Sequence, residues 1–80
     1  MILRLLAFGI AKDILGRQSA QIVLEHGNTV GALKDRLVSE YHDFSKLSSI
    51  AFAVNTEYVH DEHILQEGDE VDIIPPVSGG

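Results

Sequence analysis

The residues of this chain best suited to chemistry are its last two, Gly79 and Gly80. Glycine has no Cβ, so a Gly-Gly end can enter a narrow slot in another protein and adopt backbone angles that other residues avoid. A terminal carboxyl group has a pKa of about 3.5 and is ionised at neutral pH. Its oxygen is a poor leaving group, so the Gly80 carboxylate would need activation before another atom could replace that oxygen. The alternative interpretation is a frayed, unreactive chain end.

The rest of the chain offers no evident means of activating that carboxylate. It has no cysteine, which excludes a thiol nucleophile, a disulfide and a zinc–thiolate site. Ser78 lacks the local His and Asp arrangement of a catalytic triad. His60 and His63 flank two acids, but a metal site would want that spacing on a helix with further ligands, so we interpret them as solvated loop residues. The catalytic groups are therefore expected on partner proteins.

Composition restricts the kinds of partner. The 80 residues are enough for one domain, and 6 Lys and Arg against 12 Asp and Glu give a net charge of −6. Nucleic acid and anionic membrane surfaces both require a basic footprint, so neither is expected as a partner, whereas a basic protein would suit this charge. The apolar start, residues 1–8, is interrupted by Arg4 and is better explained as a strand than as a signal peptide. The lack of cysteine fits a cytoplasmic location.

Hydrophobic periodicity predicts the order of the elements. Alternating apolar and polar residues indicate strands at 2–8, 19–25, 51–55, 57–59 and 70–74. Helical spacing indicates a main helix over about 29–42, with Thr29 as its N-cap, and a short helix over 11–15 that Gly16 ends. Residues 43–50 are polar and favour no single structure.

This order, β-β-α-β-β-β, is typical of an α+β fold with a ubiquitin-like β-grasp. We expect a mixed sheet of about five strands with the main helix on one face and an extended C-terminal tail. Pro75 and Pro76 cannot donate backbone hydrogen bonds, so they should end the last strand. The predicted division is a β-grasp domain over 1–76 and a flexible functional tail over 77–80, and those four residues can reach at most about 14 Å.

Three sequence patterns carry a family resemblance. The segment 65–80, with the pattern L-x-x-G-D-E-V…P-P-V-S-G-G, resembles the end of the sulfur-carrier family that provides the small subunit of molybdopterin synthase. The pattern A-V-N-x-E-x-V at 53–59 looks like the middle signature of that family. The pattern F-x-x-x-K-D-x-x-G at 8–16 is similar to its start, with Lys12 and Asp13 where arginine and glutamate are commoner.

The resemblance implies a chemistry for the Gly-Gly end. In that family, a ubiquitin-activating-like adenylating enzyme uses ATP to convert the C-terminal carboxylate, here on Gly80, into an acyl-adenylate. Sulfur from a persulfide protein then replaces AMP to give a thiocarboxylate. The tail, with Gly79 before the reacting residue, inserts into the large subunit and donates sulfur to cyclic pyranopterin monophosphate. The family therefore implies a non-catalytic small subunit without a bound cofactor, in a heterotetramer of two small and two large subunits.

The resemblance also implies a partner interface. The small subunit of that family meets its large subunit through apolar residues that correspond to Phe8, Tyr58 and Ile74. An exposed aromatic and aliphatic cluster beside a reactive tail is typical of an interface centre. The alternative is that these are ordinary, partly buried sheet residues. The full set of expected interface residues is Phe8, Tyr58, Ile74, Pro75, Pro76, Val77 and Ser78.

Other functions remain open at this stage. Carriers of sulfur for thiamine synthesis also end in Gly-Gly, but they typically lack the preceding P-P-V-S and are shorter. Carriers for tRNA thiolation are further relatives. A protein modifier would instead be joined to lysines through Gly80, and a plain β-grasp interaction module would have an inert tail.

Overall fold

The computed structural model describes residues 1–47 and 50–75. It contains five strands: Ile2–Ala7 (β1), Ser19–Val23 (β2), Ala51–Val54 (β3), Glu57–Val59 (β4) and Glu70–Ile74 (β5). Helix α1 spans Ile10–Leu15, α2 spans Val30–Glu40, and a 3-10 helix follows at His42–Lys46. The elements that periodicity predicts are therefore present.

The strands form one mixed sheet in the order β2-β1-β5-β3-β4. The first and last strands pair in parallel, with Leu5 opposite Val71, while the other neighbouring strands are antiparallel. The last strand therefore lies at the centre of the sheet, between β1 and β3. This topology, with α2 across one face, is the ubiquitin-like β-grasp that the sequence predicts.

The core lies between α2 and the face of the sheet that we call the inner face. Alternate residues of the central strands supply its middle, and they are fully or almost fully buried: Leu3, Leu5, Ala7, Val71 and Ile73. The main helix contributes Val30, Leu33 and Leu37 at helical spacing. The residues between them on β1 and β5 point to the opposite, outward face, because successive side chains of a strand alternate.

Local capping sets one end of each α-helix. The Thr29 hydroxyl accepts a hydrogen bond from the Ala32 amide at 3.1 Å, which confirms it as the N-cap of α2. Gly16 ends α1 in the left-handed conformation at φ 85°, and its amide donates to the Lys12 carbonyl at 2.9 Å. These two contacts are ones that residue type alone predicts.

The segment after α2 forms more structure than its polar composition indicates. The main helix ends at Glu40, two residues before the predicted end, because Tyr41 leaves the helical region at φ −121° and ψ 87°. The following 3-10 helix buries Phe44, whose ring meets that of Tyr41 edge to face at a centroid distance of 6.1 Å. One aromatic side chain among polar neighbours thus anchors this segment to the core.

Asn55 and Thr56 make a tight turn between β3 and β4. Both have positive φ, 50° and 75°, as a two-residue hairpin of this kind requires. The Asn55 side chain donates to Asp69 at 3.3 Å and accepts from the Glu70 amide at 3.4 Å. The A-V-N-x-E pattern at 53–57 therefore has a structural basis: its asparagine turns the chain and ties the turn to the start of β5.

Candidate docking face and the base of the C-terminal arm

We call residues 75–80 the C-terminal arm. Its first residue, Pro75, directly follows β5, the central strand of the sheet, and lies beside the turn that joins β1 to α1. The Phe8 amide donates to the Ile73 carbonyl at 3.3 Å, so β1 and β5 stay paired to the end of the ladder. Gly9 then lies against the ring of Pro75, and a Cβ on that glycine would be 3.3 Å from the Pro75 Cγ. The base of the arm is therefore packed against the body of the domain.

A row of four residues crosses the outward face in register. Leu6 lies opposite Asp72, Asp72 opposite Ala53, and Ala53 opposite Tyr58. Neighbouring strands are about 4.8 Å apart, so this row spans about 14 Å. Leu6 is half-buried and Ala53 is buried, although Ala53 lies outside the main core cluster. The middle of the outward face is therefore a largely apolar surface with one carboxyl group in it.

The apolar residues proposed for an interface lie on this outward side. The exposed fraction is 72% for Tyr58 and 40% for Phe8, and Ile74 is half-buried. Since Ala7 lies opposite Ile73, the next residues, Phe8 and Ile74, come side by side at the base of the arm. Tyr58 lies on the edge strand β4, two strands away from Ile74 on β5. Their role in binding a partner remains a prediction, but their placement leaves them accessible to one.

The remaining predicted site residues belong to the arm. Pro75 is half-buried against Gly9, as described above. The other predicted site residues lie outside the described residues: Pro76, Val77, Ser78, Gly79 and Gly80.

Asp72 is the polar exception at the centre of the outward face. Within the described residues, its Oδ1 atom has no hydrogen-bond partner and almost no exposure to solvent. Burial raises the pKa of this carboxyl above its ordinary value, and the nearby negative charge of Glu70 raises it further. Ionised Asp72 is therefore an energetically unfavourable group in the isolated domain.

A broad groove lies beside this row, on the outward side of β1 and β2. It is open to solvent, has a volume of about 760 Å³, and its charged lining residues are Arg4, Arg17 and Glu70. Its charges are mixed and its walls are shallow, whereas small-molecule sites are enclosed and mostly apolar. We therefore assign it no ligand.

The described ranges contain neither a candidate metal site nor a candidate membrane span. Across 1–47 and 50–75, no three His, Asp or Glu side chains come together as metal ligands, and His60 and His63 are both exposed. No helix in the same ranges has the length and apolar character needed to cross a bilayer.

A five-stranded mixed sheet with parallel first and last strands and one main helix across it defines the ubiquitin-like β-grasp class of small proteins. Within that class, residues 5–80 match the model of the ThiS family, and the chain belongs to this family. It is 33% identical to a molybdopterin synthase sulfur carrier subunit from Arabidopsis thaliana, over 98% of this chain and 82% of that protein. Homology thus assigns the chain to the molybdopterin synthase sulfur carrier subunits of the family.

Solved structures agree with this fold. SAMP1 from Haloferax volcanii superposes with a TM-score of 0.82 at 24% identity, covering 100% of both chains, and this likeness concerns the fold alone. A chain in the protein–protein complex of subunits 1 and 2 of molybdopterin-converting factor from Helicobacter pylori gives a TM-score of 0.69 at 25% identity, again covering 100% of both chains.

Two features of the site were missed by sequence reasoning. Alternation along β5 places Asp72 on the outward face, but only the register with β1 and β3 shows that its neighbours across the sheet are apolar. The contact between Gly9 and Pro75 joins residues far apart in the chain. A glycine directly after a strand was its only signal in the sequence.

Proposed function

We propose that this chain is the sulfur carrier and small subunit of molybdopterin synthase, and that it carries sulfur as a thiocarboxylate on Gly80. The observation that supports this most strongly is homology along nearly the whole chain. The ThiS family match extends to Gly80, the residue that would react. The Arabidopsis thaliana relative is a sulfur carrier subunit of the same synthase by name.

The chemistry proceeds through activation of the Gly80 carboxylate. A partner adenylating enzyme uses ATP to form the acyl-adenylate and releases pyrophosphate. The terminal sulfur of a persulfide protein attacks the acyl carbon, AMP leaves, and a thiol reductant cleaves the resulting acyl disulfide to the thiocarboxylate. The chain itself contains no cysteine and binds no cofactor in this scheme, so ATP and the catalytic groups belong to its partners.

The acceptor is cyclic pyranopterin monophosphate in the large subunit. The thiocarboxylate sulfur becomes a sulfur of the dithiolene, and water restores the Gly80 carboxylate. The arm follows the central strand of the sheet, and its first residue, Pro75, is packed against Gly9, which favours delivery of the end in one direction. Such pre-organisation reduces the entropy lost when a reacting group is positioned.

The outward face is the surface proposed to bind the large subunit. Its apolar residues include Phe8, Tyr58 and Ile74, and Phe8 and Ile74 lie near Pro75, the first residue of the arm. The related chain from Helicobacter pylori was solved as a complex of two subunits of molybdopterin-converting factor. We propose the corresponding assembly here, with two small and two large subunits, in the cytoplasm.

Intact-mass measurement tests the carrier chemistry. Protein incubated with the adenylating enzyme, ATP, the persulfide protein and a thiol reductant should gain the mass difference between one sulfur and one oxygen atom. Omitting ATP should prevent this gain. High-mass isopeptide conjugates without the sulfur species would support a protein modifier instead.

Removing Gly80 separates docking from chemistry. The shortened chain should still bind the large subunit, because the outward face is intact, but molybdopterin formation should stop. Retained molybdopterin formation would refute the carrier proposal. It would support the alternative of an interaction module with an inert tail.

A further inference from the structure

A partner that docks on the outward face would cover the Asp72 side chain. It lies on β5, the third of the five strands, and it faces outward between Leu6 on β1 and Ala53 on β3. Ile74 follows two residues later on the same face. The carboxyl group therefore lies within the apolar surface that the proposed interface would cover, and not at its polar rim.

No described residue of the domain neutralises this carboxyl group. The ion pairs in the described part of the chain are Arg36 with Glu40 and Lys46 with Asp43. Arg4 points to the same face, but it lies opposite Glu70 in the register, and no ion pair forms between Arg4 and Asp72. The Oδ1 atom of Asp72 accepts no hydrogen bond from any described residue and is closed to solvent. Buried polar atoms without a partner are rare in folded proteins, and they often mark functional sites.

A partner that covered this face without supplying a hydrogen-bond donor would increase the free-energy cost of the ionised Asp72 carboxylate. A purely apolar partner surface would remove the remaining water from an unpaired carboxylate, which is strongly unfavourable. A cationic donor would instead turn the unpaired group into a charge-assisted hydrogen bond, which is among the stronger polar contacts in proteins. The net charge of −6 and the adjacent Glu70 favour such a cation electrostatically.

We infer that Asp72 is a specificity determinant of the docking face, and that it pairs with an arginine or lysine side chain of the large subunit. This inference rests on the function proposed above, because it takes the large subunit as the partner. The apolar residues then provide contact area, while the carboxylate selects a partner with a cation opposite it and disfavours surfaces without one.

Binding measurements on matched variants test the inference. Asp72→Asn removes the charge and keeps the shape, and Asp72→Leu makes the surface apolar. Asp35→Asn is the control, because Asp35 is an exposed carboxylate on α2 and its substitution changes the net charge equally. Calorimetric titration with the large subunit should show affinity reduced by about tenfold or more for both Asp72 variants, and unchanged within about twofold for Asp35→Asn.

A carbon-13 NMR titration of the Asp72 carboxyl group adds a direct readout. The charged or titratable groups on the same face are Glu70 on β5, Arg4 on β1, Arg17 in the loop before β2 and Tyr58 on β4, while β3 presents uncharged Ala53. A cation from the large subunit should lower the pKa of Asp72 on binding, whereas an apolar cover should raise it further. The thermal midpoints of the free variants should equal or exceed that of the parent chain, which shows that they are folded.

The outcomes separate the two proposals. If the parent chain binds the large subunit but Asp72→Leu binds as tightly or more tightly, the inference about Asp72 is wrong and the proposed function is unaffected. A pKa of Asp72 that rises on binding would overturn the inference in the same way. If the parent chain does not bind the large subunit, the proposed function and the inference are both wrong.

Discussion

The ring of Pro75 lies so close to Gly9 that a Cβ on the glycine would be 3.3 Å from the proline Cγ. Gly9 follows β1 and Pro75 follows β5, and these two strands are parallel neighbours in the sheet. The turn after the first strand therefore sets where the C-terminal arm begins. Gly9 also has a positive φ of 56°, which a residue with a side chain would adopt only with strain.

Gly9→Ala should therefore impair sulfur transfer more than docking. The new methyl group would push the Pro75 ring away by a few tenths of an ångström and would strain the backbone at Gly9, and both changes would shift the base of the arm. Reaction rates are sensitive to small misplacements of the reacting group. The measurement is the single-turnover rate of sulfur transfer from the thiocarboxylate form, compared with the affinity for the large subunit. We expect the rate to fall by about tenfold or more, with a smaller loss of affinity.

Gly16→Ala is the matched control for this prediction. Gly16 also has a positive φ, 85°, but a Cβ there would meet no atom within 4 Å. It should lose stability from backbone strain without affecting the arm. Equal transfer rates in the two variants would contradict a role for the contact between Gly9 and Pro75.

Tyr58→Ala should weaken binding of the large subunit without destabilising the domain. The side chain is 72% exposed, so its removal costs little in the free chain, whereas aromatic residues at interface centres dominate binding. We expect an affinity loss of about tenfold or more by calorimetry. Ile64→Ala is the control, since Ile64 is 60% exposed but lies beside Thr29 at the start of α2. Equal losses for both variants would show that the outward face has no special role.

The strands and the two α-helices of this fold could be predicted from the sequence because each has a local signal. Alternating residues mark the strands, and Thr29 and Gly16 mark helix ends through contacts within a few residues. The position of Phe44 could not be derived in this way, because its burial depends on a core built by distant residues.

The same distinction between local signals and long-range contacts applies to the candidate site. The outward direction of Ile74 follows from alternation along β5, and the arm follows from the residue types after Pro75. The isolation of Asp72 depends on which strands flank β5, and pairing between the first and last strands is a long-range property. Hydrophobic periodicity in one sequence shows which face of a strand a residue occupies, but not which residues of other strands lie beside it.

Gly27→Ala should be the most destabilising of the glycine substitutions in the described residues. Gly27 has φ 84°, and a Cβ there would lie 2.6 Å from the Ala32 Cβ in the first part of α2. The left-handed conformation costs about 1–2 kcal/mol for a residue with a Cβ. Overpacking adds about 1–3 kcal/mol to the loss in free energy of unfolding. Urea unfolding followed by far-UV circular dichroism measures the sum.

Gly68→Ala isolates the contribution of that contact. Its φ of 85° is almost the same as that of Gly27, but nothing lies within 4 Å of the added Cβ. The difference between the two variants should therefore report the contact with Ala32 alone. Indistinguishable unfolding midpoints would mean that the loop relaxes away from α2 at no cost.

The raised pKa of Asp72 predicts how the stability of the free domain depends on pH. Burial, and then the charge of Glu70, make the folded state hold this proton more tightly than the unfolded chain, whose ordinary value is 3.8. The stabilising effect of the protonated form is therefore complete below pH 3.8 and is lost as the pH rises through the folded-state pKa. At neutral pH the ionised carboxylate opposes folding.

Asp72→Asn removes this titration. Relative to the parent chain, the variant should gain free energy of unfolding as the pH rises from 3.8 through the folded-state pKa, and then keep a constant advantage at neutral pH. Urea titrations of both proteins at a series of pH values measure the difference, with Asp35→Asn as the control for loss of one exposed charge. A difference that does not change with pH would show that Asp72 titrates normally. A gain in stability together with a loss of binding would mean that the domain keeps an unfavourable charge in the middle of its outward face because the partner requires it.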